Sequence, residues 1–182
     1  CHTSTENLDI IPANIDLSAA EVQLVNEVAR ESALARVLRH VESDYDVVLI
    51  DCQPSLGLLA VNALTAAHGV IVPVEAEFFA LRGVALLVET IETVRDRINP
   101  RLKIDGIVAT MVDSRTLHSR EVLQRLQEAF GDLVFDTRIG RTIKFPDASV
   151  ATEPIISYAP NHAGAHAYRR LAREVIARGD AA

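Results

Sequence analysis

Short apolar runs alternate with longer segments of helical periodicity along most of this chain. The apolar runs cover residues 8–11, 47–50, 70–74, 104–111 and 133–139, and we expect them to form strands. Because most of these runs are continuous rather than alternating, they are typical of parallel strands buried on both faces. Helical patterns cover residues 33–41, 56–67, 80–98, 119–130 and 163–177. The order predicts an α/β fold, a parallel sheet with helices on both faces.

Capping and stop signals sharpen this prediction. Ser18 and Glu21 have the spacing of a capping box, which predicts a helix from Ser18 toward Arg30. Asn99-Pro100 and Gly131-Asp132 are expected to end the two helices that precede them. A length of 182 residues with 49% hydrophobic content fits one domain over residues 1–182.

Composition narrows the class of protein. The net charge of −7 gives no general attraction to nucleic acid, so any such binding needs a local basic patch. Two cysteines, Cys1 and Cys52, cannot form a disulfide framework, and no apolar run is long enough for a membrane span. We therefore expect a cytoplasmic protein with no membrane contact. Met111 is the single methionine, and the start at Cys1 suggests a fragment of a longer protein.

A carboxylate follows the second apolar run directly. Asp51 ends the segment 47–51, VVLID, which is the form of a Walker B element that orders Mg²⁺ or water beside a phosphate. On this segment alone, Asp51 capping a turn after a core strand is the more common explanation. Ser55 is likewise more simply explained as the N-cap of the next helix than as a catalytic hydroxyl.

The segment 45–64, YDVVLIDCQPSLGLLAVNAL, resembles the Walker B and switch region of the ParA/Soj family of partition ATPases. The resemblance continues through NLDIIPA at 7–13, LSAAE at 17–21, EFFALRG at 77–83, TMVDSRT at 110–116 and GAHAY at 164–168. It implies a P-loop NTPase-like fold of the deviant Walker type. It also implies that Asp51 is a catalytic switch residue that holds Mg²⁺ through water. Gln53 departs from the family, which usually has a second proline there.

The same resemblance implies a nucleotide site for ATP with Mg²⁺. It places five residues beside the nucleotide: Met111, Asp113, Gly140, Arg141 and Thr142. Gly140 and Thr142 stand where the family usually has the proline and asparagine that border the adenine, and a plain strand-to-helix turn explains Gly140 equally well. The two lysines follow Leu102 and Ile143, so the sequence contains no Gly-Lys pair of a phosphate-binding loop. We therefore expect the intact protein to hydrolyse ATP and this chain alone to be inactive.

Basic residues near two strand ends suggest a second ligand. By the resemblance, Arg115 and Lys144 hold DNA phosphates without sequence preference, and Arg120 and Arg141 extend the patch. The family also implies a homodimer, a ParB-like partner and association with the nucleoid, with Glu77 as a dimer-edge or switch residue. Two alternatives are a non-hydrolytic paralogue that binds DNA or a partner protein, and a membrane-cycling ATPase of the MinD type, which the final helix supports least.

Overall fold

The computed structural model describes residues 1–3, 5–77 and 80–180. The chain divides into two compact units, Cys1–Ala67 and His68–Ala182, here called the N-terminal and C-terminal units. The single domain predicted from the sequence stays a prediction.

Three helices make up most of the regular structure of the N-terminal unit. They are α1 (Leu17–Leu24), α2 (Ala33–Leu38) and α3 (Leu58–Ala66), with 3₁₀ turns at Arg30–Ser32 and Glu42–Asp44. The buried side chain of Asn62 ties α3 to the start of α2. Its amide nitrogen donates to the carbonyl of Arg30 at 2.9 Å, and its amide oxygen accepts from the backbone N–H of Leu34 at 3.1 Å. This pairing satisfies a polar group that would otherwise be costly to bury.

Two strands predicted for the N-terminal unit are absent from its described residues. Residues 8–11 and 47–50 are not strands, although Asp9 forms an isolated antiparallel bridge with His2. Val47 and Leu49 are 68% and 84% exposed. A strand needs a neighbour to share its hydrogen bonds, and none of the described residues forms a ladder with 47–50.

The predicted capping box is also wrong. Asp16 occupies the N-cap position of α1, and no side chain caps this helix end. The Ser18 hydroxyl instead donates to the carbonyl of Ile15 at 2.6 Å. Because α1 also buries no residue, little packing extends it, and it ends at Leu24 rather than near Arg30.

The C-terminal unit contains the predicted parallel strands. Strand β1 (Gly69–Glu75) pairs with β2 (Lys103–Thr110), and the register runs from Gly69 opposite Lys103 to Glu75 opposite Thr110. Helix α4 (Ala80–Arg97) connects them in a βαβ arrangement. The prediction of strands at 70–74 and 104–111 and of a helix at 80–98 is confirmed.

The expected strand at 133–139 is irregular. A 3₁₀ turn covers Gly131–Leu133, and the following segment touches β2 through isolated bonds, from the N–H of Phe135 to Ile107 and from the N–H of Ile139 to Ala109, each 2.9 Å. The amides of Asp136 and Thr137 between them donate to the carboxylate of Glu174 at 2.7 and 3.1 Å. The side chain of Glu174 therefore takes backbone donors that a continuous ladder would use.

Helix α8 (Ala163–Asp180) packs on the core of the C-terminal unit. Val108, Phe135, Ile139 and Ala167 form this buried cluster, and Leu171 and Val175 of α8 pack against it. Gly106 of β2 leaves room for the Phe135 ring, which a Cβ at position 106 would overlap.

Three further helices complete the C-terminal unit: α5 (Leu117–Phe130), α6 (Lys144–Val150) and α7 (Ile155–Tyr158). The helices expected at 119–130 and 163–177 are confirmed, and Gly131 ends α5 with φ of 49°. The sequence pattern did not predict the short helices α6 and α7. Among the described residues, no helix combines the length and apolar character needed to cross a membrane.

Candidate functional site

Backbone hydrogen bonds bring together the two segments that carry the five predicted nucleotide residues. Beyond the end of β2, the N–H of Val112 donates to the carbonyl of Ile139, and the N–H of Arg141 donates to the carbonyl of Val112, both at 3.1 Å. Val112 and Gly140 thereby form a parallel bridge. Met111 and Asp113 on one segment consequently lie beside residues 140–142 on the other, at the carboxyl end of β2, where open α/β sheets bind ligands.

Met111 has an unusual backbone conformation at this edge. Its φ of 54° lies in the left-handed region that side chains other than glycine rarely adopt. Two flanking hydrogen bonds fix the chain on both sides: the carbonyl of Thr110 accepts from the N–H of Ala76, and the N–H of Val112 donates to the carbonyl of Ile139. The side chain is 41% exposed, so an apolar surface is available to a flat ligand.

Gly140 is not required by its local geometry. Its φ is not positive, and an added Cβ would lie 3.6 Å from the carbonyl oxygen of Val112, an ordinary contact distance. A Cβ would therefore fit at position 140.

Asp113 and Arg115 form the shortest ion pair of the candidate site. Nε of Arg115 lies 2.9 Å from Oδ1 of Asp113, and Nη2 lies 2.8 Å from Oδ2, a bidentate pair. The same Oδ1 accepts the backbone N–H of Arg115 at 3.1 Å. These hydrogen bonds lower the pKa of Asp113 from 3.8 to about 2 and raise the pKa of Arg115. The Arg115 side chain is nevertheless 87% exposed.

Thr116 joins this pair to helix α5. Its hydroxyl donates to the carbonyl of Asp113 at 3.0 Å and, as the N-cap, accepts the backbone N–H of Ser119 at 3.2 Å. The exposed residue Arg120 lies in the first turn of α5, with Nε 3.5 Å from the carbonyl of Thr116. The start of α5 therefore carries two of the three predicted DNA-binding residues.

Lys144, the third predicted DNA-binding residue, begins α6. Its backbone N–H donates to the hydroxyl of Thr142 at 3.2 Å, and its Nζ lies 3.1 Å from Oδ2 of Asp147. The hydrogen bond to Asp147 raises the pKa of Lys144. Nζ also lies 5.9 Å from the centre of the Tyr158 ring. Asp147 was not identified from the sequence, although its position three residues after Lys144 could have indicated the pair.

Arg141 and Glu77 form a weaker contact at the same edge. Nη2 of Arg141 lies 3.9 Å from Oε1 of Glu77, and both side chains are more than half exposed. Such exposed pairs contribute little to stability, so both groups are available to other partners. Phe78 and Phe79 of the EFFALRG segment lie outside the described residues.

Asp51 belongs to the N-terminal unit, whereas the other eight predicted site residues belong to the C-terminal unit. Asp51 is exposed, and its carboxylate has no hydrogen-bond or ion-pair partner among the described residues. Ser55 does not cap α3, because Gly57 holds the N-cap position. The backbone N–H of Ser55 instead donates to the carbonyl of Gln53 at 2.7 Å. The expectation that Ser55 is an N-cap is therefore wrong.

The two units each carry groups whose chemistry suits a metal or a nucleotide. In the N-terminal unit, the carboxylate of Asp51 has no partner among the described residues and is the kind of oxygen ligand that orders water around Mg²⁺. In the C-terminal unit, Met111 and Gly140 are exposed beyond the end of β2. In the described ranges, no three His, Cys, Asp or Glu side chains converge on a metal position. Both lysines lie near carboxylates: Lys103 is 4.0 Å from Asp105, and Lys144 pairs with Asp147. Neither belongs to a phosphate-binding loop.

Comparison with known proteins establishes the family. A family model described as an AAA domain matches residues 1–104, more than half of the chain. The Treponema pallidum chromosome-partitioning ATPase Soj is 47% identical over 176 residues, which are 97% of this chain and 70% of the Treponema protein. The chain belongs to the ParA/Soj family.

Two further proteins are similar to this ParA/Soj chain over most of its length. An uncharacterized Mycobacterium tuberculosis protein is 62% identical over 177 residues, covering 97% of this chain and 56% of that protein. The Mycobacterium smegmatis cobyrinic acid a,c-diamide synthase, solved with ADP and magnesium, is 43% identical with a TM-score of 0.67, over 82% of this chain and 63% of that chain. The chain thus spans little more than half the length of the Mycobacterium tuberculosis relative. The fold is P-loop NTPase-like.

Proposed function

We propose that the complete protein is a ParA/Soj-type ATPase that partitions chromosomes or plasmids. In this proposal ATP binding produces a homodimer, the dimer binds DNA without sequence preference, and a ParB-like partner stimulates hydrolysis. It works in the cytoplasm on the nucleoid. The observation that carries the proposal is the match to the Treponema partitioning ATPase over 97% of this chain, including the site edge at residues 110–116.

The nucleotide roles follow from the chemistry of the side chains. Bound ATP and Mg²⁺ would supply the phosphoryl group and the charge that changes on hydrolysis. Asp51 would orient water around the metal, and its exposed, unpaired carboxylate supports this role. Met111, Asp113, Gly140, Arg141 and Thr142 would border the base and ribose.

The DNA roles belong to Arg115, Arg120 and Lys144. Their exposed or half-exposed cationic groups can contact phosphates, which gives salt-dependent binding without sequence preference. Arg115 and Lys144 are each paired with a carboxylate, so binding requires these cations to be shared or released. Because the chain carries a net charge of −7, one weak patch gains from repetition in a dimer, where two copies bind the same duplex.

The DNA role is tested in the complete protein with Arg115→Glu and Lys144→Glu together. We expect DNA affinity to fall at least about tenfold, while the circular dichroism spectrum stays unchanged. The matched control is Arg97→Glu with Arg101→Glu, which makes the same change in net charge at exposed positions of α4 and the turn after it. Equal DNA affinity in the two double variants would contradict the assignment.

The switch role is tested with Asp51→Ala. We expect ATP still to bind but no longer to drive dimerisation, because the carboxylate that would respond to the bound nucleotide is missing. Light scattering after size exclusion, with and without ATP, measures this. Normal ATP-dependent dimers would refute the role of Asp51.

A second candidate function is a paralogue that binds DNA or a partner protein without turning over ATP. Gly140 and Thr142 favour it, because they replace the two residues that usually border the adenine. Phosphate release by the complete protein, with DNA and the ParB-like partner present, separates the two functions. No turnover above background, with DNA binding intact, would favour the paralogue.

A further inference from the structure

The outer face of α8 carries a row of cationic side chains that the proposed function does not use. His166, Arg170 and Arg173 are exposed and follow the i, i+4, i+7 spacing of one helix face. Ala167, Leu171 and Val175 lie on the opposite side and pack against the core. We call His166, Arg169, Arg170 and Arg173 the basic face of α8.

This basic face borders a shallow groove. The groove has a volume of about 440 Å³ and is lined by the four residues of the basic face and Ala163. None of these lining residues is acidic, although the whole chain has a net charge of −7. Glu174, a carboxylate of the same helix, is engaged elsewhere: it accepts the amides of Asp136 and Thr137 and lies 3.6 Å from Arg178.

Two of the three arginines are free to bind a ligand. Arg169 is not, because it donates to the carbonyls of Pro160 and Ile156 at 2.7 and 3.2 Å and holds the connection between α7 and α8. Arg170 and Arg173 have no side-chain hydrogen bond or ion pair within the described part of the chain. They differ in this from Arg115 and Lys144, which are each held by a carboxylate.

The chemistry of the groove favours a nucleic acid over a protein partner. Protein interfaces concentrate their binding energy in apolar or aromatic anchors, whereas the one apolar lining residue here is the small Ala163. Guanidinium groups bind phosphate oxygens in a bidentate manner. The row from His166 to Arg173 extends about 10 Å along the helix axis, and duplex DNA presents about one phosphate charge every 1.7 Å of its length. Several phosphates are therefore within reach of the row.

We propose that the basic face of α8 is a second contact with the phosphate backbone of duplex DNA, made mainly by Arg170 and Arg173. This inference rests on the proposed function, since it adds a surface to a protein that binds DNA. It assigns the contact to side chains that no carboxylate holds, so this surface can bind before Arg115 and Lys144 are released.

The test uses the complete protein and a fluorescent duplex of unrelated sequence, with anisotropy measured over a range of NaCl concentrations. Arg170→Glu with Arg173→Glu should weaken binding at least about tenfold, and the magnitude of the slope of log K against log[salt] should fall by roughly 2 for each protomer that contacts the duplex. Arg97→Glu with Arg101→Glu, which makes the same charge change, should leave the slope unchanged. Arg169 is left intact because it stabilises the connection between helices.

A second variant guards against misfolding and simple repulsion. Arg170→Gln with Arg173→Gln removes two phosphate contacts without adding negative charge, so the slope should fall by the same amount with a smaller loss of affinity. If the unaltered protein binds no DNA, the proposed function fails and this inference fails with it. If it binds DNA and both α8 variants keep the slope of the control, only this inference is overturned. The same holds if the α8 variants keep that slope but lose binding to a ParB-like protein, since the basic face would then bind the protein and not DNA.

Discussion

The carboxylate of Asp113 holds the guanidinium of Arg115 through two parallel hydrogen bonds of 2.9 and 2.8 Å. In the proposed function the two residues would contact different ligands, Asp113 the nucleotide and Arg115 DNA. A ligand that attracts Asp113 would therefore release Arg115, and a phosphate that attracts Arg115 would release Asp113. The pair provides a direct physical link between the two proposed sites, with the reciprocity that linkage requires.

Replacing Asp113 with asparagine should strengthen DNA binding in the complete protein without nucleotide. The neutral amide no longer holds Arg115, so the guanidinium is free to bind phosphate. We expect a gain of about two- to tenfold in affinity, measured by anisotropy at constant salt. Asp132→Asn is the control, since it removes one exposed negative charge that has no ion-pair partner among the described residues. An equal gain in both variants would mean that net charge, not the pair, sets the affinity.

The pH dependence of the same pair has a defined sign. The pKa of Asp113 is lowered from 3.8 to about 2, so the pair contributes its full stabilisation above pH 3.8 and loses it as the pH falls toward 2. The carboxyl carbon shift of Asp113 in NMR should titrate with a midpoint of about 2. In Arg115→Ala the midpoint should move up toward 3.8. A midpoint that is the same in both proteins would show that Arg115 is not the cause.

Arg178 should be important for the stability of the C-terminal unit. Its guanidinium donates to the carbonyls of Asp105, Leu133 and Val134 at 3.0 to 3.2 Å and lies 4.1 Å from the centre of the Phe135 ring. Arg178→Ala leaves these carbonyls without that donor, so the free energy of unfolding should fall by about 2 kcal/mol. Arg173→Ala, on the exposed face of the same helix, should change it by less than about 0.5 kcal/mol. Urea denaturation compares the two, and equal effects would contradict this role.

Position 140 should accept proline. The bridge beyond β2 uses the N–H groups of Val112 and Arg141, and the nitrogen of residue 140 donates no hydrogen bond to the described residues that proline would remove. Gly140→Pro with Thr142→Asn should leave the free energy of unfolding within about 1 kcal/mol. It should also raise ATP affinity in the complete protein, measured by calorimetry. A fall in the free energy of unfolding of more than about 1 kcal/mol would show that the backbone at position 140 needs glycine.

The sequence predicted the parts of the fold whose hydrogen bonds are local or whose partner strand is present. Strands β1 and β2 and helices α4, α5 and α8 appear near their expected positions because each has a buried apolar face. Residues 47–50 have the same apolar pattern but no ladder among the described residues, and pattern alone does not reveal whether a neighbour exists. The strand expected at 133–139 is irregular for a different reason. The carboxylate of Glu174, 38 residues away in the sequence, accepts the N–H of Asp136.

The candidate site residues were proposed from motif resemblance rather than from periodicity. TMVDSRT and the residues from Gly140 to Thr142 come together as expected from neighbouring strand ends. The ionic partners of the basic residues were not foreseen, because Asp113 and Asp147 become partners only through a turn and a short helix. The free cations of α8 were also missed, since exposed arginines on a helix usually indicate only a solvated face.

Met111 has a consequence for how this protein would change under selection. A methionine with φ of 54° is less stable there than glycine or asparagine, by roughly 1 kcal/mol. In a laboratory selection for heat resistance alone, position 111 should therefore drift to one of those two residues. Where selection acts instead on growth that depends on the protein, persistence of methionine would measure what its side chain contributes to ligand binding.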